Sequence, residues 1–285
     1  MNVLATLRPP GDAWDELGHV EIGRLAPRDD VEILIVANQS IELDWFPSLK
    51  LIANFSVGYD NIDIEACRAR GIAVSNTPGV LDAAVADLTI GLLLAVRRRI
   101  VEGDAAVRAG RWEEGWSATP FLGRDVGRSV LGIVGYGRIG RAVARRASGF
   151  DLDVIYTRAT PLDELLVQAD IVSLHTPLNA ETTGLISRER LALLRDGATL
   201  LNTARGAVVD EDALVDELES GRISAGLDVF VHEPHVPERL RGLPNVVLTP
   251  HIASATKETR AAMTRIVVDN VLAFQRGEPL PTPVA

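Results

Sequence analysis

The sequence has few aromatic residues (5%), one cysteine and no apolar stretch long enough to cross a bilayer. Cys67 alone cannot form an intramolecular disulfide, which fits a reducing compartment. The amino terminus lacks the apolar core of a signal peptide. The most apolar helical segment, 83–96, contains Asp87 and is shorter than the ~20 residues that a membrane span needs. We therefore expect a cytoplasmic protein rather than a secreted or membrane-bound one.

The charge distribution excludes a further class of protein. The 285 residues carry a net charge of −10, and no run of Lys and Arg is long enough to form a nucleic-acid face. The densest basic spot, 97–99, is typical of a helix end. With 47% hydrophobic and 24% charged residues the chain should be globular, and its length favours two domains over one.

Apolar strand patterns alternate with helical patterns along the chain, which is typical of α/β proteins with parallel strands. We predict two Rossmann-like domains, each with a doubly wound parallel sheet. The predicted strands are 2–6, 32–37, 51–55 and 73–75 in the first domain, and 130–134, 153–157, 171–175, 199–202, 224–229 and 246–249 in the second. Six strands is the number expected of a nucleotide-binding sheet.

Two helical stretches define the predicted domain organisation. After a turn at 77–79, a long helical stretch, 81–109, leads into the second domain. A final amphipathic helix, 255–274, returns to the first domain and makes it discontinuous. The predicted division is a substrate domain of residues 1–80 and 257–285, and a dinucleotide-binding domain of residues 81–256.

The stretch VLGIVGYGRIG, 130–140, predicts a dinucleotide site. Gly135 permits a tight turn from strand to helix, Gly137 lets the backbone approach phosphates, and Gly140 lets the helix pack against its strand. The first N–H groups of the helix would then bind a pyrophosphate. A purely structural turn is the alternative, but the strand before the glycines and the helical pattern after them favour the dinucleotide.

Seven motifs occur in order along the chain. They are NFSVGYDNID (54–63), GIAVSNTPGVL (71–81), GIVGYGRIG (132–140), DIVSLHTPL (170–178), LLNTARGAVVDEDAL (200–214), GLDVFVHEP (226–234) and NVVLTPHIAS (245–254). On these motifs the chain resembles the D-isomer-specific 2-hydroxyacid dehydrogenase family over nearly its whole length. Within that family, the stretch from 57 to 81 and the ending EPLPTPV are most similar to NADP-dependent hydroxypyruvate and glyoxylate reductases.

The resemblance implies a catalytic set of Arg205, Glu233 and His251, and the chemistry of these side chains agrees with it. Reduction of a 2-oxo acid needs a cation for the carboxylate or carbonyl and an acid for the developing alkoxide. The planar fork of Arg205 suits the carboxylate, and His251 can release a proton near neutral pH. Glu233 would pair with His251 and keep it oriented and protonated.

Taken singly, these side chains also have structural alternatives. Arg205 could cap a helix or pair with Asp210, and His251 could be an ordinary loop histidine. His232 and His235 have a metal-like spacing but no apparent third ligand, so no metal site is predicted.

The predicted cofactor depends on the end of the strand 153–157. An NAD site usually has an acidic residue there for the ribose 2′-OH, whereas this strand ends in Thr157 and Arg158. The arginine supplies a cation for a 2′-phosphate, and the threonine supplies a hydroxyl, which favours NADP over NAD. Alternatively, Arg158 stacks on the adenine and both cofactors bind. The segment that follows is shorter than in relatives, so the adenosine pocket is expected to be more open.

Further residues are predicted to bind the cofactor from the glycine turn or the ends of strands. They are Arg138, Ile139, His175, Thr176, Pro177, Thr203, Ala204, Asp228 and Ala253. His175 is expected near the adenosine. Asp228 is expected to brace the Arg205 region or the cofactor rather than act as a base.

In the family, backbone N–H groups of the SVG turn, here Val57 and Gly58, also hold the substrate carboxylate. The resemblance further suggests Trp116 as a wall of a neighbouring subunit's active site, with ordinary packing at a dimer interface as the alternative. The apolar helix 83–96 is predicted to face a partner, so we expect a homodimer.

The expected activity is NADPH-dependent reduction of glyoxylate and hydroxypyruvate by hydride transfer. A first alternative is the same chemistry on 2-ketogluconate, a hydroxyphenylpyruvate or phosphoglycerate. A second is a dinucleotide-sensing protein that resembles the corepressors of this family. The intact catalytic set counts against the second alternative.

Overall fold

The computed structural model describes residues 1–113 and 115–284. The chain divides into two compact units. The first combines Met1–Leu81 with the segment from Ser254 onward, and the second is Asp82–Ala253. The functional labels and exact bounds that the sequence analysis gives to the two domains stay predictions.

Strands and helices alternate along both units. The strands are β1 (Val3–Ala5), β2 (Glu21–Ile22), β3 (Ile33–Val36), β4 (Leu51–Asn54), β5 (Ala73–Ser75), β6 (Val130–Val134), β7 (Asp153–Tyr156), β8 (Ile171–Leu174), β9 (Thr199–Asn202), β10 (Ser224–Leu227) and β11 (Val246–Leu248). The helices are α1 (Ile64–Ala69), α2 (Asp82–Arg97), α3 (Ile100–Arg108), α4 (Arg138–Ala147), α5 (Leu162–Gln168), α6 (Arg188–Ala192), α7 (Glu211–Glu219), α8 (Glu238–Arg241) and α9 (Lys257–Gln275).

The first unit is built on a parallel sheet in the order β2-β1-β3-β4-β5. Four of its strands match the predicted strands to within one residue at each end. Strand β2 was not predicted, because two residues are too few for a periodic pattern. Cys67 lies on α1, and burial raises the pKa of its thiol.

The second unit is a six-stranded parallel sheet in the order β11-β10-β9-β8-β6-β7. The chain leaves β6 toward β7 on one side and places β8 on the other, so the strand order reverses there. Such a switch point opens a crevice at the carboxyl ends of the strands, where ligands bind. The predicted α/β fold with two parallel sheets is confirmed.

The predicted helical stretch 81–109 is wrong as one element. Arg99 adopts a left-handed backbone with φ of 52° and separates α2 from α3. A single residue in that conformation ends a helix, and the apolar pattern on either side gives no sign of it.

Packing within its own unit explains the apolar character of 83–96, so the expectation that this helix faces a partner stays a prediction. Helix α2 packs on the sheet of its own unit, with residues such as Ile90, Leu92 and Leu93 buried in the core. The exposed apolar side chains lie on α3 instead, where Ile100 and Val107 each keep more than half of their surface. No helix of the described chain is long and apolar enough to cross a membrane.

Candidate active site

The glycine turn after β6 has the features of a dinucleotide site. Gly135 has a φ of 94°, and a Cβ there would lie 2.5 Å from the carbonyl oxygen of His175. A Cβ on Gly140 would clash with the carbonyl oxygen of Gly135, so α4 packs closely on the turn. A Cβ on Gly137, by contrast, would meet nothing within 4 Å. Packing therefore explains two of the glycines, and the open space at the third fits a ligand that approaches the backbone.

The helix that follows the turn can receive an anion. Gly137 is the N-cap of α4 and supplies no capping side chain, and the first turn contains no acidic residue. The first N–H groups of a helix have no intrahelical acceptor, and the helix dipole favours negative charge beside them. These groups match a pyrophosphate.

The segment after β8 lies against the glycine turn. The Thr176 hydroxyl oxygen is buried and has no hydrogen-bond partner among residues 1–113 and 115–284, as expected of a group that faces an absent polar ligand. The Nε2 atom of His175 lies 2.8 Å from the Ser173 hydroxyl, and burial lowers the histidine pKa to about 4. His175 is therefore neutral at physiological pH.

The end of β7 lies beside the same turn. The Thr157 hydroxyl accepts the N–H of Gly135 at 3.2 Å, and the rings of Tyr136 and Tyr156 stack with centroids 3.8 Å apart. Arg158 is exposed and has no ion pair or hydrogen bond to any other described residue. The tyrosine stack, which the sequence analysis missed, holds this strand end against the glycine turn.

His251 and Glu233, separated by 18 residues, form a pair. The Nδ1 atom of His251 lies 2.7 Å from Oε2 of Glu233, and the other carboxylate oxygen accepts the N–H of Phe230 at 3.1 Å. Burial opposes ionisation of Glu233, but the hydrogen bonds from His251 and Phe230 and the positive charges of His251 and Arg205 lower its pKa below the ordinary value. The glutamate is thus a carboxylate at neutral pH.

Asp228 fixes the segment that carries His251. The aspartate is fully buried, and its carboxylate accepts hydrogen bonds from the Thr249 hydroxyl at 2.6 Å and from the N–H groups of Ile252 and Ala253 at 2.8 and 2.9 Å. His251 itself donates its N–H to the Asp228 carbonyl at 2.9 Å and has a φ of 53°. A non-glycine residue in the left-handed region persists only where its surroundings enforce it. Asp228 thus braces the histidine segment, whereas its role toward the cofactor stays a prediction.

Arg205 follows β9 in a turn that a second side chain holds. Asn202 accepts the N–H of Ala204 at 3.0 Å and donates to the carbonyl of Arg205 at 2.8 Å. A Cβ on Gly206 would clash with the backbone of Phe230, so this turn lies directly against the loop that carries Glu233. Neither Asn202 nor Gly206 was predicted as a site residue. An amide side chain that ends a buried strand is the signal that could have found the first.

The other predicted site residues lie on several elements. The Thr203 hydroxyl is buried 3.1 Å from that of Thr89, and Arg138 forms an ion pair with Asp82 at 3.2 Å. Trp116 is 86% exposed. Other positions are given by element: Ile139 in α4, Pro177 after β8, Ala204 after β9, Ala253 after β11, and Val57 and Gly58 after β4 in the first unit. Their assignment to cofactor or substrate stays a prediction.

His232 and His235 form an isolated backbone bridge. Within the described ranges 1–113 and 115–284, no three His, Cys, Asp or Glu side chains are grouped so that they could hold a metal ion.

Comparisons with known proteins agree with this geometry. Residues 90–253 match the family model described as D-isomer specific 2-hydroxyacid dehydrogenase, NAD binding domain. The glyoxylate reductase of Thermococcus litoralis is 51% identical over 83% of this chain and 77% of the relative, and that of Pyrococcus furiosus is 44% identical over 95% and 88%. A crystal structure of an NADPH-dependent glyoxylate/hydroxypyruvate reductase from Sinorhizobium meliloti, in complex with NADP and malonate, superposes with a TM-score of 0.87. It is 38% identical and covers 100% of this chain and 96% of its own.

Proposed function

The chain belongs to the D-isomer-specific 2-hydroxyacid dehydrogenase family, and on that basis we propose that it reduces the 2-oxo acids glyoxylate and hydroxypyruvate to 2-hydroxy acids. The observation that carries the proposal is the cluster of Arg205, Glu233 and His251. It combines a cation, a carboxylate and an imidazole at the carboxyl ends of β9, β10 and β11, in the unit that also contains the glycine turn. Relatives named glyoxylate reductases support this substrate class.

We infer that the proton comes from His251. Its Nδ1 atom is engaged by Glu233, so Nε2 is the atom available to protonate a developing alkoxide. Glu233 is held at both oxygens and therefore fixes the orientation of the ring. The hydrogen bonds from the N–H groups of Ile252 and Ala253 to Asp228, which we call the Asp228 clamp, fix the backbone next to His251.

Arg205 would bind the substrate carboxylate or polarise its carbonyl. The guanidinium fork matches a carboxylate in geometry and charge. We also infer that Val57 and Gly58 bind a carboxylate through their backbone N–H groups. The resemblance to the family supports this assignment.

NADPH is the cofactor that we propose, and when bound it supplies the hydride for the carbonyl carbon. The glycine turn and the start of α4, including Arg138 and Ile139, would hold its pyrophosphate. Arg158 is exposed at the end of β7 without a described partner, so it is available to a 2′-phosphate, with Thr157 beside it. The remaining residues proposed for the cofactor are His175, Thr176, Pro177, Thr203, Ala204, Asp228 and Ala253.

Exchange of a single charge tests the cofactor proposal. Arg158→Asp should lower the ratio of kcat/KM for NADPH to that for NADH by about tenfold or more, since one charge-assisted hydrogen bond is lost and a repulsive charge is gained. Arg128→Asp is the matched control, because Arg128 is also exposed but precedes β6, at the amino end of the strands. An unchanged ratio in Arg158→Asp would exclude the 2′-phosphate role.

The activity itself is tested with purified protein, NADPH or NADH, and a panel of 2-oxo acids, followed at the nicotinamide absorbance. Glyoxylate and hydroxypyruvate should give the highest kcat/KM. Absence of turnover with every acid and both cofactors would contradict the proposed function. Higher kcat/KM for another 2-oxo acid would retain the reaction and change the substrate.

A homodimer formed through α3 and the segment after it is our proposal for the assembly. Ile100, Val101 and Val107 on α3 and Trp112 and Trp116 beyond it all keep more than half of their surface exposed. Exposed apolar side chains at this density mark association surfaces. Val107→Glu should convert the protein to a monomer in light scattering, and an unchanged mass would place the interface elsewhere. Trp116 as a wall of the partner's substrate site depends on this dimer.

A further inference from the structure

In the turn at 56–58, directly after β4, the carbonyl oxygens and the N–H groups differ in their hydrogen bonding to the described residues. Each of the three carbonyl oxygens accepts a hydrogen bond. None of the three N–H groups has an acceptor among the described residues. The bonds run from Thr77 N–H to Ser56 O (2.9 Å), from Asn76 Nδ2 to Val57 O (2.8 Å) and from Asn54 Nδ2 to Gly58 O (2.7 Å).

Because the peptide group is planar, these hydrogen bonds also fix the direction of the neighbouring N–H groups. In a trans peptide the carbonyl of one residue and the N–H of the next point in opposite directions within one plane. The bond from Thr77 to Ser56 therefore fixes the N–H of Val57, and the bond from Asn76 to Val57 fixes the N–H of Gly58. The two N–H groups proposed to bind the substrate carboxylate are thus held in direction by hydrogen bonds on the opposite side of their peptides.

Asn54 is difficult to explain by stability alone. It is 0% exposed, and its side-chain oxygen has no hydrogen-bond partner in the described part of the chain. A buried amide satisfied at only one end costs free energy relative to an apolar side chain of the same shape. Its presence is explained if the carbonyl of Gly58 must be held in place.

Asn76 is held in turn by the carboxyl-terminal segment. The Thr282 hydroxyl donates to the carbonyl of Asn76 at 2.6 Å, and the N–H of Asn76 donates to the carbonyl of Thr282 at 3.3 Å. Asn270, a fully buried residue of α9, fixes Thr282 by donating to its hydroxyl at 2.9 Å and accepting its N–H at 3.1 Å. One chain of hydrogen bonds therefore connects α9 through Thr282 and Asn76 to the carbonyl of Val57.

We propose that Asn76 is a positioning residue for carboxylate binding by the turn 56–58, and that Thr282 and Asn270 form a clasp that holds Asn76 in register. Asn54 supports the same turn less directly, because its bond to the carbonyl of Gly58 fixes the peptide that follows the two proposed donors. The proposal rests on the proposed function, since it concerns the carboxylate of the same 2-oxo acid substrate. It assigns a role to the carboxyl-terminal PTPV segment and to the polar residue that interrupts the apolar face of α9.

Three variants test the positioning role. Asn76→Leu removes the donor with similar side-chain shape, Thr282→Val removes the clasp hydroxyl, and Thr282→Ser retains that hydroxyl. The first two should raise the KM for glyoxylate about tenfold, the loss expected for one misaligned hydrogen bond, with less than about threefold change in kcat or in the KM for NADPH. Thr282→Ser should match the wild type.

A matched control separates positioning from general damage. Asn245 holds the carbonyls of Leu218 and Ile223 at 2.9 and 2.8 Å in the second unit. Asn245→Leu should lower the melting temperature without raising the KM for glyoxylate. Methyl glyoxylate, which lacks the carboxylate charge, gives a further distinction. Its kcat/KM should fall much less than that of glyoxylate in Asn76→Leu and Thr282→Val.

Binding of oxamate, an unreactive carboxylate, is measured by calorimetry on the same proteins with NADPH present. Weaker oxamate binding in Asn76→Leu and Thr282→Val, with wild-type affinity in Asn245→Leu, supports the proposal whether or not the wild type reduces glyoxylate. Equal oxamate affinity in the wild type, Asn76→Leu, Thr282→Val and Asn245→Leu, or equal losses for glyoxylate and its methyl ester, overturns it. Failure of the proposed function would appear separately, as absence of turnover in the wild type.

Discussion

The Nδ1 atom of His251 and the Oε2 atom of Glu233 lie 2.7 Å apart, and the second carboxylate oxygen of Glu233 is held by the N–H of Phe230. This arrangement leaves the glutamate little freedom to rotate away from the ring. Since its pKa is lowered, the carboxylate stays ionised throughout the neutral range and presents a full negative charge to the imidazole.

Neutralisation of this carboxylate should therefore impair turnover without unfolding the protein. We expect Glu233→Gln to lower kcat by about 10²-fold, because the amide neither stabilises an imidazolium nor fixes one tautomer. Steady-state kinetics with circular dichroism measures both properties. Glu211→Gln, which changes a carboxylate that accepts the N–H of Val231 in the same loop, is the control and should retain turnover. A kcat of Glu233→Gln within threefold of the wild type would remove the pair from the mechanism.

The glycines of the turn should separate into two classes. Gly140→Ala should destabilise the unit, because its Cβ would clash with the carbonyl of Gly135, whereas Gly137→Ala should fold normally and bind NADPH at least about tenfold more weakly. Gly149→Ala, where a Cβ also meets nothing within 4 Å, is the control and should change neither property. Thermal melts and fluorescence titration with NADPH provide the comparison. Normal NADPH affinity in Gly137→Ala would mean that no ligand occupies that space.

The Asp228 clamp should contribute to both stability and turnover. Asp228→Asn replaces one acceptor by an N–H₂ group that faces the backbone N–H groups of Ile252 or Ala253, at a cost of about 2–3 kcal/mol. The free energy of unfolding, measured in urea, and kcat should both decrease, since the φ of His251 depends on this segment. Asp210→Asn is the matched control. Asp210 caps α7 by accepting the N–H of Ala213, a role that asparagine fills equally well. Equal stability of the two variants would contradict the clamp.

His175 should make stability depend on pH in the mildly acidic range. Its pKa falls from an ordinary value of about 6.5 when unfolded to about 4 when folded, so the unfolded state takes up a proton first as the pH falls. The contribution of His175 to the free energy of unfolding should therefore be fully present above pH ~6.5 and decline toward pH ~4. The loss at pH 5 should be at most ~2 kcal/mol, because the residue is only part-buried.

Removal of the titrating ring should flatten this dependence. The free energy of unfolding in urea should differ less between pH 7.5 and pH 5 in His175→Gln than in the wild type. In His19→Gln, which changes an exposed histidine, the difference between the two pH values should equal that of the wild type. Identical differences in all three proteins would mean that His175 titrates normally.

The strands were predictable because buried parallel strands read as short apolar runs between turn residues, and ten of the eleven labelled strands were predicted to within two residues at each end. The division of 81–109 was not predictable, since the left-handed Arg99 interrupts a pattern that otherwise continues. The burial of α2 within its own unit was not predictable either. A helix that is apolar on most of its surface fits a buried position and a partner interface equally well, and only the packing on β9 and β10 separates them.

The candidate site was predictable in part for a similar reason. Side chains that follow parallel strands gather at one edge of a sheet, so Arg205, Glu233 and His251 could be expected together. The residues that hold the site in place could not be expected from the sequence. Asp228 binds backbone N–H groups, and Thr282 binds a residue 206 positions away in the sequence. Neither partner leaves a local pattern in the chain.

The most direct test of the central claim is single-turnover reduction of glyoxylate by the NADPH-loaded protein, in the wild type and in His251→Asn. Asparagine tolerates the left-handed backbone at this position, so the fold should survive the change. We expect the rate to fall by about 10²–10⁴-fold with NADPH affinity unchanged. A rate within threefold of the wild type, at equal NADPH affinity, would show that His251 is not the proton donor.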